Sequence, residues 1–162
     1  MKNKKLIVLN SIVVGLSLLS LLLLMVFPCT SGVSFTMFQL MQLYVPAGAQ
    51  YAVVGYGISI VIIFNVVILA FSILSLLNAC GIIKKAKGFM ITNIILASLE
   101  TFTSFIVLVF FLATNEILIT TLLFATIIAL ANIVLSRVAL SAYKKSLKAR
   151  ETAQKPVEEV NV

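Results

Sequence analysis

Between Lys5 and Lys84 the chain contains no Asp, Glu, Lys or Arg. A water-soluble domain clothes its outward positions in polar groups and carries roughly 25% charged residues. Here 62% of the 162 residues are apolar and 10% are charged. Long charge-free apolar segments read as membrane spans. The expectation is therefore an integral membrane protein.

Four apolar runs organise the chain, over about 6–27, 51–80, 89–112 and 117–142. Each meets the ~20 residues needed to cross ~30 Å of hydrocarbon at 1.5 Å per residue. Lipid offers the backbone no hydrogen-bond partner, so each run is expected to be helical. Pro28 ends the first run and Gly81 follows the second. The predicted fold class is all-α: four transmembrane helices in an up-down bundle over residues 1–143, followed by a tail over 144–162. That tail is expected to begin as a basic helix through Lys144, Lys145, Lys148 and Arg150. It then becomes polar and disordered, with Pro156 stopping any helix.

Orientation follows from the cations. Lys2, Lys4 and Lys5 precede the first span, Lys84, Lys85 and Lys87 lie between the second and third, and Arg137, Lys144, Lys145, Lys148, Arg150 and Lys155 close the chain. All twelve Lys and Arg fall toward one side of the four spans, Arg137 lying inside the fourth but near enough to that face to snorkel to phosphates. The positive-inside rule places that side, with both termini, in the cytoplasm. A basic start before an apolar run also describes a secretory signal. This run exceeds the ~7–15 residues of a signal core, and no Ala-x-Ala site follows it. A retained first helix is expected, with its packing position left open.

The outer segment from Pro28 to Gln50 has no charge. Ser34 is read as the cap of a short interfacial helix carrying Phe35, Phe38, Met41, Leu43 and Tyr44, with Thr36, Gln39 and Gln42 as its polar stripe. Such a piece would fill the space between helix ends, lying on the interface or roofing the bundle; its sharper reading is a docking surface. The remaining connections, Gly81 to Gly88 and Thr114-Asn115-Glu116, are short enough to force antiparallel neighbours. Cys29 and Cys80 sit at opposite ends of their spans, ~30 Å apart, whereas disulfide Cα atoms lie within about 7 Å. They do not pair within one chain.

The composition removes most chemistry. The sequence has no His, Asp or Trp, and no glycine-rich loop followed by Lys-Ser/Thr. Metal and acid/base sites draw on imidazoles and clustered carboxylates, and nucleotide hydrolysis on the phosphate loop. Catalysis is not expected, and neither a cofactor nor a metal is implied. The net charge of +7 flanks apolar spans, which points to a bilayer with anionic headgroups rather than to nucleic acid. Lys84, Lys85, Lys87, Arg137, Lys144 and Lys145 are the expected headgroup contacts.

Small and polar residues recur at alternating spacings of four and three. Ala125, Ala129, Asn132, Ser136, Ala139 and Tyr143 do so on the fourth span, and Asn93, Ala97, Glu100 and Ser104 on the third. Asn65, Ser72, Ser75 and Ala79 mark the second span, and Asn10, Ser17 and Ser20 the first. This pattern marks the inward face of a left-handed bundle, where small residues let backbones approach. Glu100 lies ~18 Å from the basic end, with Ser17 at ~16 Å, Asn132 at ~15 Å and Asn65 at ~22 Å. A carboxyl there is expected to face inward, protonated or paired, within a cluster of Glu100, Asn65, Asn132, Ser17 and Ser104. Thr101 and Thr103 are further candidates on its own helix. The plainer role is a hydrogen-bonded lock between helices; the sharper one is a proton- or cation-binding carboxylate on a transport pathway.

In topology the chain resembles tetraspan proteins such as the claudins. Their outer-loop signature joins Trp to a pair of Cys, and this loop has Cys29 alone. Small multidrug-resistance transporters also pair four helices with one membrane Glu, but theirs is on the first helix and Glu100 is on the third. Neither likeness reaches the residues that would carry it. The expected function is that of a non-catalytic multi-pass protein acting through helix contacts as an accessory subunit, scaffold or membrane-resident protective factor, with a membrane-protein partner or a second copy of itself. The alternative is a small oligomeric proton-coupled transporter or channel using Glu100. The Lys-rich, Trp-free composition suggests a bacterial plasma membrane.

Overall fold

Four helices of the structure are long and apolar enough to cross a membrane. The computed structural model describes residues 4–30, 33–45, 49–83, 86–113 and 120–154. In chain order the elements are α1 (Lys4–Met25), β1 (Pro28–Thr30), β2 (Val33–Thr36), α2 (Met37–Tyr44), α3 (Ala49–Ala79), α4 (Ala86–Ala113) and α5 (Thr120–Gln154). The helical fold and the four long apolar helices agree with the sequence, most helix ends falling within a turn of the limits of the apolar runs. The fourth differs most: α5 has 35 residues. At 1.5 Å per residue it is ~52 Å long, more than the ~30 Å that a hydrocarbon core would require. Helix thus continues past Arg150 to Gln154, further into the tail than expected.

The long helices pack as a ring in which α1 touches α5 and α3, α3 touches α4, and α4 touches α5. Two apolar clusters show that neighbours run in opposite directions. At one end Leu24 of α1 meets Ile58 and Val61 of α3, Val107 and Leu108 of α4, and Leu122 and Ala125 of α5. At the other, Leu6 meets Ala79, Met90 and Ala139, with Tyr143 packed alongside. The start of one helix lies beside the end of the next, an up-down bundle closed by α1 against α5.

The segment after α1 departs from expectation. Antiparallel strands β1 and β2 pair Pro28 with Thr36 and Thr30 with Val33, so Ser34 and Phe35 are strand residues. Ser34 caps no helix. The cap of α2 is Thr36: its Oγ1 accepts from the Gln39 backbone N–H at 3.3 Å, and the Gln39 side-chain oxygen accepts from the Thr36 N–H at 2.9 Å. This reciprocal pair satisfies two N–H groups that the first turn would otherwise leave free. The buried face of α2 is centred on Met37, with Phe38, Leu40 and Met41 against the apolar cluster, while Phe35 and Leu43 are exposed. The short helix therefore roofs that end of the bundle.

At the opposite end α3 stops in a Schellman turn. Gly81 has φ +85°, its N–H donates to Asn78 O at 2.8 Å, and the Ile82 N–H donates to Leu77 O at 3.0 Å. Only a residue without Cβ takes that φ freely. Gly88 plays no matching part, since α4 has already begun at Ala86. The expected outer turn at Thr114, Asn115 and Glu116 lies outside the described residues, as do Lys84 and Lys85.

Candidate functional site

The inward faces of all four spans follow one rule. Buried positions are Leu6, Asn10, Val13, Ser17, Ser20 and Leu24 on α1, and Met90, Asn93, Ala97, Glu100, Ser104 and Val107 on α4. On α3 and α5 the same spacing runs from Ile58 to Ala79 and from Leu122 to Ala139. Alternating steps of three and four keep a single stripe turned inward. Along each stripe the ends are apolar and the middle is polar. The bundle therefore holds a layer of Asn, Ser and one Glu between two greasy plugs, while exposed Ile95, Leu99, Phe102 and Val134 face outward.

Within that layer four side chains on four helices form one chain of hydrogen bonds. Asn93 Nδ2 of α4 donates to Ser72 Oγ of α3 at 2.8 Å. Ser72 Oγ lies 3.4 Å from Ser17 Oγ of α1, and Asn132 Nδ2 of α5 donates to Ser17 Oγ at 3.2 Å. The Ser17 hydroxyl proton goes to Val13 O at 2.8 Å, so the Ser72 hydroxyl is the donor between the two serines. Ser17 is the hub of the layer. It accepts from two helices and returns its own proton to its backbone.

Glu100 belongs to a separate pair. Its Oε1 accepts from Asn65 Nδ2 at 2.6 Å, joining α4 to α3, and the same Nδ2 reaches Val61 O at 3.1 Å. Both residues are buried. Of the partners expected for Glu100, only Asn65 is one; Ser17 and Asn132 bond to each other instead. Ser104 is buried with no hydrogen-bond partner among the described residues, and Thr101 and Thr103 donate to Ala97 O and Leu99 O on their own helix. The expected cluster is therefore two units, because α1 and α5 turn Ser17 and Asn132 toward one another. Ser72 and Asn93 complete the larger unit, and their place on the 4-3 stripes was the signal for them.

Among the described residues, several buried polar atoms in this layer have no partner: Ser20 Oγ, Ser75 Oγ, Asn93 Oδ1, Ser104 Oγ and Asn132 Oδ1. Among the described residues no group of three or more His, Cys, Asp or Glu could hold a metal ion. Lys87, Arg137, Lys144 and Lys145, four of the expected headgroup contacts, are all exposed. No family model, curated protein or solved structure matches the chain.

Proposed function

We propose that the chain is a non-catalytic multi-pass membrane protein that works through lateral helix contacts, as an accessory subunit, scaffold or membrane-resident protective factor. Its cationic end, carrying both termini, faces the cytoplasm, and a bacterial plasma membrane is its proposed location. The observation that carries this reading is the hydrogen-bond chain Asn93–Ser72–Ser17–Asn132, which engages one polar side chain from each span in holding its neighbours. Interior polarity is then a means of fixing helix register, and the outward apolar faces are left for lipid and for another membrane protein. Pull-down of the tagged chain in a mild native detergent, with mass spectrometry of what co-purifies, tests it. A membrane protein recovered in fixed ratio to the chain supports the reading; recovery of the chain alone, as a monomer, counts against it.

One observation favours a second reading, a small proton-coupled carrier or channel. Unpartnered Ser104, Asn93 and Asn132 oxygens share the interior with the Glu100 carboxyl, and polar groups in a membrane interior are costly unless used. That reading requires flux through the purified protein that depends on Glu100.

A further inference from the structure

The geometry points to a specific binding site for one anionic phospholipid, in a cleft between the start of α1 and the end of the membrane-spanning part of α5. The cleft has a volume of about 480 Å³ and is lined by Lys5, Val138, Ser141, Ala142, Lys145 and Ser146. It brings one lysine from each of two helices to a shared hollow. Among the described residues neither Lys5 nor Lys145 has an ion-pair partner, and the Ser141 hydroxyl has no hydrogen-bond partner. Ser146 donates its own proton to Tyr143 O at 2.7 Å, which leaves its oxygen available only as an acceptor. Two ammonium groups and the free Ser141 hydroxyl form a donor set without an acid, suited to phosphate oxygens.

The chemistry changes along the same two helices. Residues three, four and seven apart share a helix face. On α1 the face of Lys5 continues inward through Val8 and Ile12, and on α5 the face of Lys145 continues through Ser141, Val138 and Val134. Val8, Ile12, Val138 and Val134 are all exposed. A cationic hollow that opens onto apolar walls fits a molecule with an anionic head and a hydrocarbon tail. Inorganic phosphate would use the head site alone; the apolar continuation selects the lipid. The site goes beyond the headgroup contacts expected along the basic edges, because it adds Lys5 and a defined cleft. It rests on the cationic end lying at a membrane surface, but not on which leaflet that is.

Native mass spectrometry of the full chain in mild detergent tests the site without regard to orientation. Short-chain phosphatidylglycerol is added in one arm, phosphatidylcholine in a second, and phosphatidylglycerol with millimolar inorganic phosphate in a third. One phosphatidylglycerol should be retained in preference to phosphatidylcholine. A lysine at an anionic headgroup favours binding by about fivefold, so the pair Lys5→Gln and Lys145→Gln should weaken retention by about 25-fold. Ser141→Leu, which removes the free hydroxyl and narrows the cleft at unchanged charge, should also weaken the preference. The pair Lys4→Gln and Lys148→Gln removes equal charge from residues that do not line the cleft and should leave retention close to that of the unaltered chain. Equal loss in this control pair, equal retention of phosphatidylcholine, or full displacement by inorganic phosphate would each overturn the proposal.

Discussion

Ser17 and Ser20 sit less than one turn apart on α1, both buried, at 1% and 2% exposure. Their surroundings differ in one respect. Ser17 Oγ meets Ser72 and Asn132 on two other helices, whereas Ser20 Oγ has no partner. Replacing Ser17 by Ala removes two interhelical hydrogen bonds, each worth about 0.6 kcal/mol on average and up to about 1.7. It also strips the Asn132 side chain of its one partner, since Asn132 Oδ1 is already unpaired. The expected loss is about 1–3 kcal/mol. Ser20→Ala instead deletes an unsatisfied buried hydroxyl and adds a better helix former, so its effect should lie between zero and about 1 kcal/mol of stabilisation. Reversible unfolding by SDS in mixed micelles, followed by circular dichroism, measures both variants on one scale. A cycle with Asn132→Ala should return a coupling of about 0.6–1.7 kcal/mol for Ser17 and none for Ser20. Equal losses for the two serines, or no coupling at Ser17, would refute the claim that the polar chain ties the helices.

Three further outcomes follow from local geometry. A Cβ on Gly57 would sit 2.7 Å from Val107 Cγ2, so Gly57→Ala should destabilise the α3–α4 contact by about 1–3 kcal/mol in the same SDS titration, and Val107→Ala should relieve much of it. Thr36→Ala removes the cap of α2 and should cost about 0.5–2 kcal/mol there, read by hydrogen exchange as faster exchange of the first turn of α2 with the spans unchanged. In intact cells a cysteine placed at exposed Leu43, in a chain with Cys29 and Cys80 replaced by Ser, should react with a membrane-impermeant maleimide. Native Cys80, at the cationic end, should react only after permeabilisation, and the reverse pattern would invert the proposed orientation.

Much of this bundle is legible in the sequence because a chain proposed to lie in lipid has few choices. The runs must be helices, and Asn93, Ala97, Glu100 and Ser104 stand out on α4 because each must turn away from hydrocarbon. Depth was legible too: ~16 Å for Ser17 and ~15 Å for Asn132 put them at one level, and they do bond to each other. Rotation of each helix about its own axis is not legible, so depth alone cannot separate Asn65 from Ser17 and Asn132 as the partner of Glu100. The roof helix shows a different loss. The pattern Thr36-x-x-Gln39 marks a capping box, but the preceding Ser34 competes for that role until pairing with β1 commits it to a strand. Val33-Ser34-Phe35-Thr36 does alternate apolar with polar, but strands of three and four residues are too short for that alternation to stand out.

Interior polarity in this protein is proposed to hold helices together rather than to move charge. Purified protein reconstituted into sealed liposomes with an internal pH-sensitive dye, under an imposed pH gradient, tests it most directly. Proton flux should equal that of protein-free liposomes and should not change on Glu100→Gln. Flux above that background in the unaltered chain, lost in Glu100→Gln while the variant keeps its fold in SDS titration, would contradict it.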